Sequence, residues 1–247
     1  MDHGLTFGAI DGFKDPRETL RTVLGGNPDG VLVSPHLVRQ YDEEFDESNV
    51  SIAITGDVVA FSTNPGIDEH EDVWEPAFDL DFITEFEPAA VKIILVFGRN
   101  DRGMYCRNIR AVAEAFERLR NTDISLIVET VLWGRDTPEE NRTDPEWLEN
   151  AARLGWEYGA DIIKIPYPND RETFKRITSN SPVPVTVLGG KSGDTRDLLR
   201  MVSDSIEAGG SGIMIGRSIW QKEDPRAVIS ALSEVVHDGA NVDDVWP

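Results

Sequence analysis

The chain has 247 residues, enough for one large core, and a formal net charge of -21 from 24 Lys and Arg against 45 Asp and Glu. That balance excludes nucleic acid as a partner, because phosphate backbones are bound by basic surfaces. With no apolar run of membrane-spanning length, no signal-like start and one cysteine, Cys106, the expectation is a soluble, cytoplasmic protein without an internal disulfide.

Short apolar runs alternate with amphipathic stretches along the chain. Predicted strands are Gly30–Val33, Val50–Ile54, Val91–Phe97, Ser125–Val131, Asp161–Ile165, Pro184–Leu188 and Gly212–Ile215. Most are apolar on both alternating faces, the mark of strands covered by helices on both sides of a parallel sheet. Helical patterns run over Asn108–Arg120, Asp144–Tyr158, Asp170–Thr178, Asp194–Glu207 and Asp224–Val236. Asp144 before Pro145 and Asp224 before Pro225 read as N-caps with proline at the first helical position. The longest irregular stretch, Ser62–Glu75, is a candidate active-site loop. Repeated βα units argue for a doubly wound sheet or a closed barrel. The eighth strand of a barrel is missing at the front, since MDHGLTFGAIDGF begins where a strand should be ending. No linker divides the chain, so residues 1–247 are read as one domain, a TIM (β/α)8 barrel lacking its first strand.

Lysine is scarce, 6 against 18 Arg, and the acidic residues are dispersed rather than gathered in a tail. Such a surface is expected at high salt, where screening makes self-repulsion tolerable. The scarcity also makes lysines inside apolar runs harder to dismiss as decoration. Two exist, Lys92 in AVKIILVFG and Lys164 in ADIIKIPYP. On a two-residue period Lys164 points the same way as Ile162 and Pro166. Burying an ammonium among aliphatic groups is costly. The expected escape is loss of the proton, and a neutral buried amine attacks carbonyls to form imines. The competing reading is a structural lysine paired with a carboxylate.

Glu129 lies in another apolar strand, SLIVETVLWG, sharing a face with Ile127 and Val131. If Lys92, Glu129 and Lys164 converge, the carboxylate can protonate a departing hydroxyl, and a neighbouring cation favours the neutral form of the attacking amine. A structural ion cluster is the alternative, although buried clusters stabilise poorly. Gly189-Gly190 follows one strand in VTVLGGKSGDT, and Gly216-Arg217 follows the next in GIMIGRSIW. Glycines there let backbone N–H groups approach an anion, and barrels commonly bind phosphate after strands seven and eight. Arg39, Arg99 and Arg135 also follow strands and are candidates for a second anionic end. The four histidines have no HxH or HxxxH spacing, so no metal is expected, with a carboxylate-only magnesium site left open.

Together these motifs resemble the archaeal class I fructose-bisphosphate aldolase family, within the wider group of DeoC-type and tagatose-bisphosphate aldolases. The likeness runs over nearly the whole chain in order. Asp2-His3-Gly4 resembles the MDHG motif that ends the family's first strand, which gives Asp2 a role in proton handling and imine positioning. GADIIKIPYPND resembles the stretch carrying the Schiff-base lysine, here Lys164. VPVTVLGGKSGDTRDLLRMV and EAGGSGIMIGRSIWQKEDP resemble the two phosphate loops, bringing in Gly189, Gly190, Lys191, Gly216 and Arg217. Where the archaeal aldolases carry a tyrosine in YPRG, this chain reads ETVLWGRD, with Val131 in the tyrosine's place. Lys92 and Glu129 instead resemble the acid/base pair of the tagatose-bisphosphate and sulfofructose-phosphate aldolases. The resemblance thus implies a cofactor-free, homo-oligomeric lyase acting on a ketose phosphate. Fructose 1,6-bisphosphate is the default substrate, and a sulfosugar phosphate or tagatose phosphate is the alternative. A non-catalytic sugar-phosphate-binding barrel is a further one.

Overall fold

A computed structural model describes residues 1–60, 73–97, 101–133, 137–189 and 193–246. In chain order the elements are α1 (His3–Phe7), α2 (Pro16–Leu24), β1 (Gly30–Val33), α3 (Pro35–Gln40), α4 (Asp42–Asp46), β2 (Ser51–Thr55), β3 (Asp57–Ala60), β4 (Val73–Pro76), α5 (Leu80–Thr84), β5 (Ala90–Phe97), α6 (Arg102–Leu119) and β6 (Ser125–Leu132). They continue with α7 (Pro145–Glu157), β7 (Ile162–Pro166), α8 (Arg171–Asn180), β8 (Val185–Leu188), α9 (Thr195–Glu207), β9 (Gly212–Met214), α10 (Arg217–Trp220), α11 (Pro225–His237) and α12 (Val242–Val245).

Seven strands pair in parallel in the order β1-β2-β5-β6-β7-β8-β9 and curl into a TIM-barrel-like sheet. All seven are the predicted strands, shifted by a residue at some ends. From β5 to β9 each crossover is a helix, as parallel pairing requires. The helices bury apolar stripes against the sheet. In α6 the stripe is Met104, Val112, Ala115 and Leu119 at helical spacing, together with Asn108. Asp144 and Asp224 are N-caps as predicted, accepting from the Trp147 and Ala227 amides. Helix α6 starts six residues before the predicted Asn108, behind an Asp101 cap that accepts from the Met104 amide. Among the described residues no strand joins β9 to β1. The Met1 ammonium donates to the Leu32 carbonyl of β1 at that edge.

The sequence reading missed the antiparallel hairpin β3–β4, in which Asp57 lies opposite Pro76 and Val59 opposite Trp74. Of the Ser62–Glu75 segment, 73–75 belong to β4 and the rest lies outside the described residues. The hairpin turns the chain away from the sheet, so the β2–β5 ladder ends at Thr55 opposite Lys92. Above that point β5 would expose unpaired backbone groups, which is costly in a dry interior. Two side chains take over. Asp57 Oδ2 accepts from the Ile94 amide at 2.7 Å, while Asn108 accepts from the Val96 amide at 2.8 Å and donates to the Ile94 carbonyl at 2.6 Å.

Candidate active site

Strand register builds the site. Ile94 of β5 lies opposite Glu129 of β6, which lies opposite Lys164 of β7, which lies opposite Thr186 of β8, which lies opposite Gly212 of β9. Parallel strands in register place these five residues in one layer, and alternation turns their side chains to one face. Lys92 sits two residues lower on β5, opposite Ile127. Its long side chain climbs to the layer above.

Three of the four sequence-predicted catalytic residues are buried, with Lys92 3 %, Glu129 5 % and Lys164 8 % exposed. Asp2, the fourth, is partly exposed. All four meet. Lys164 Nζ is 2.9 Å from Glu129 Oε2, and Lys92 Nζ is 3.8 Å from the same oxygen and 3.4 Å from Asp2 Oδ2. Asp57 completes the cluster at 3.2 Å from Lys92 Nζ. Sequence reasoning missed Asp57, because GDV after a strand looks like an ordinary turn and only the hairpin folds it inward.

Burial opposes the charge on Lys92, but Asp57, Asp2 and Glu129 override it and hold the ammonium above its ordinary range. Burial likewise opposes the charge on Asp2, and Lys92 overrides it, so the carboxyl titrates well below 3.8. Burial pushes the neighbouring His3 imidazole below 6.5, against the pull of the Asp2 carboxylate, which accepts from the protonated ring. Lys164 is not the solitary amine among aliphatic groups that the sequence suggests. It shares its pocket with a carboxylate, and a cavity of about 120 Å³ opens beside the pair.

That cavity is lined by Asp2, Asp57, Lys92, Glu129 and Lys164, by Trp133, Val59 and Phe7, and by Gly189, Gly216 and Arg217. Arg217 stacks its guanidinium 5.5 Å from the Phe7 ring centre, and its buried Nε has no hydrogen-bond partner among the described residues. Gly216 permits close approach, since a Cβ there would stand 2.9 Å from His3 Cε1. Gly190, Lys191, Arg99 and Arg135 lie outside the described residues. Arg39 is exposed on α3 and does not line the cavity. Among the described residues no group of three or more His, Cys, Asp and Glu is arranged to hold a metal ion, and no helix is long and apolar enough to cross a membrane.

A barrel-like parallel sheet holds two lysines and three carboxylates against one cavity, a set able to form an imine with a carbonyl and to move its protons. The chain belongs to the DeoC/LacD family of aldolases, whose family model matches residues 1–222. It is 27% identical to an uncharacterized aldolase of Saccharolobus solfataricus over 98% of this chain and 89% of that protein. It is 29% identical to the 2-amino-3,7-dideoxy-D-threo-hept-6-ulosonate synthase of Halobacterium salinarum, over 98% of this chain and 86% of that one. Among solved structures it resembles an archaeal fructose-1,6-bisphosphate aldolase whose catalytic lysine is covalently bound to the carbinolamine intermediate of its substrate. That match has a TM-score of 0.82 at 27% identity, over 96% of this chain and 91% of the other.

Proposed function

We propose that the chain is a class I aldolase in which Lys164 forms the Schiff base with a ketose phosphate, by default fructose 1,6-bisphosphate, cleaved to dihydroxyacetone phosphate and glyceraldehyde 3-phosphate. The observation that carries this reading is the Lys164–Glu129 contact of 2.9 Å in a cavity that Arg217 also lines. Glu129 is placed to take a proton from the Lys164 ammonium. The freed lone pair bonds to the ketone carbon while the carbonyl π pair moves to oxygen. A proton passes from nitrogen to that oxygen, giving the carbinolamine. Glu129 then returns its proton to the hydroxyl, which leaves as water as the nitrogen lone pair forms the iminium. Glu129, again a carboxylate, takes the substrate's C4 hydroxyl proton as the C3–C4 electron pair flows into the iminium, releasing the aldehyde and leaving an enamine, and the same proton is then available for C3. Protonation at C3 and hydrolysis regenerate Lys164. The fixed positive charge of Lys92, with Asp2 beside it, faces the atoms where charge develops. Gly189, Gly216 and Arg217 hold the phosphate.

Val131, fully buried on β6, offers no acid/base group where the archaeal aldolases carry tyrosine, and Lys92 with Glu129 stands in its place. This favours a second substrate reading, a tagatose or sulfosugar phosphate. The wider proposal is a cytoplasmic homo-oligomer adapted to high salt, and the charge of -21 supports the last of these alone.

The test is borohydride trapping with dihydroxyacetone phosphate, followed by peptide mapping. The expected result is one reduced adduct on Lys164, absent in Lys164→Met. A folded wild-type protein that gives no adduct, or one that keeps its turnover in Lys164→Met, overturns the reading.

A further inference from the structure

Asp57 is 3 % exposed, and both of its carboxylate oxygens are engaged. Oδ2 accepts from Trp74 Nε1 at 2.8 Å and from the Ile94 amide at 2.7 Å. Oδ1 faces Lys92 Nζ at 3.2 Å and Thr55 Oγ1 at 3.4 Å. Capping β5 requires only an oxygen that accepts from Ile94, and an amide would supply it. A carboxylate buried at that point leaves a negative charge with no purpose for the backbone. The charge is answered by Lys92 alone among the described lysines and arginines, and Lys92 starts below the catalytic layer with four rotatable bonds to order.

We propose that Asp57 is a positioning residue for the aldol reaction. By this assignment it fixes the Lys92 ammonium laterally, so that the cation stands between Asp2 and Glu129 rather than folding onto either. The inference rests on the Schiff-base reading above. Asp57 acts through Lys92, since its own oxygens are held by the hairpin and by β5. The hairpin thereby becomes part of the site, because Trp74 of β4 and Asp57 of β3 lock each other. The groups facing Lys92 are Asp57 from β3, Asp2 from the segment before α1 and Glu129 from β6. Glu129 in turn faces Lys164 from β7, and the Met1 amine feels the Lys92 charge.

The experiment compares wild type with Asp57→Asn, Lys92→Met and the double variant in the full chain. Asparagine keeps an oxygen for Ile94 and Trp74 and removes the charge. Trapping on Lys164 is expected to persist in Asp57→Asn. Its kcat is expected to fall about 10- to 100-fold, no more than the low end of what a proton-transfer group itself contributes, because Asp57 acts at one remove, with KM for fructose 1,6-bisphosphate nearly unchanged. The alkaline limb of its rate profile moves to lower pH, because Lys92 has lost one of three carboxylates. The double variant is expected to be no slower than Lys92→Met. It is also expected to melt higher than Lys92→Met, which leaves Asp57 without its cation. That comparison stands even if Asp57→Asn alone fails to fold. An unshifted pH profile, losses that multiply, or a double variant no more stable than Lys92→Met would reduce Asp57 to a backbone cap and overturn the inference alone. Absence of any wild-type adduct removes the Schiff-base reading, and this inference with it.

Discussion

A lysine enclosed by protein keeps its charge only where carboxylates outweigh the lost hydration, and Lys92 faces three of them. Removing one partner of such a buried pair costs about 3–5 kcal/mol, so Lys92→Met is expected to lose stability on that scale in denaturant melts. The pH dependence follows from the directions of the shifts. Asp2 titrates well below 3.8 in the folded chain, so its contribution is whole above that value and disappears as pH falls through the depressed one. Lys92 titrates above 10.5, so its contribution is whole below that value and disappears as pH rises through the elevated one. The stability difference between wild type and Lys92→Met should therefore stay flat from about pH 8 to about pH 10 and shrink as pH rises through the elevated Lys92 value. Below about pH 8 it should also fall, because the Met1 amine, lowered to about 6 partly by the Lys92 charge, begins to protonate. A difference that slopes between about pH 8 and about pH 10 would mean that the cluster is wired otherwise. At this scale Lys92, Glu129 and Lys164 were legible because charged residues in strands apolar on both faces have no ordinary explanation. Asp57 was not, since nothing in ITGDVV distinguishes a surface turn from a buried anchor.

Among the elements, the strands of the parallel sheet were read to within a residue at most ends, because short β-branched runs bounded by polar residues have few alternatives. The hairpin escaped because β3 meets β4 across a long insertion, and pairing at that separation leaves no local periodic signal. The same sheet predicts uneven stability. Strands β5, β6 and β7 are paired on both sides, while β1 and β9 each lack a partner on one side among the described residues. Amide exchange is expected to open β1 and β9 well before β6, and equal protection across all seven strands would contradict the described pairing. Near the cavity, Gly216→Ala places a methyl 2.9 Å from His3 Cε1 and 3.3 Å from Trp220 Nε1. Its expected effect is a raised KM for a phosphorylated ketose with trapping on Lys164 retained. A KM equal to that of wild type would separate Gly216 from the phosphate end.

For the whole molecule, a net charge of -21 is a repulsive term that salt should relieve. Raising ionic strength from about 0.1 M to about 1 M shortens the screening length from about 10 Å to about 3 Å, so the melting temperature is expected to climb across that range. The buried lysine–carboxylate cluster is shielded from mobile ions, and the stability lost in Lys92→Met should change little with salt. A melting temperature that falls with added salt would argue against adaptation to high ionic strength.

The sequence by itself determined the parallel strands, the capped helices between them and the residues of unusual chemistry, because each of these is written in local apolar patterning and in single misplaced charges. Only the tertiary structure decided that Ile94, Glu129 and Lys164 share one layer, that Lys92 climbs into it from below, and that a hairpin turns Asp57 inward to meet it. Register and hairpin closure are long-range pairings, and the energy that selects them comes from burial and hydrogen bonds between segments far apart in the chain.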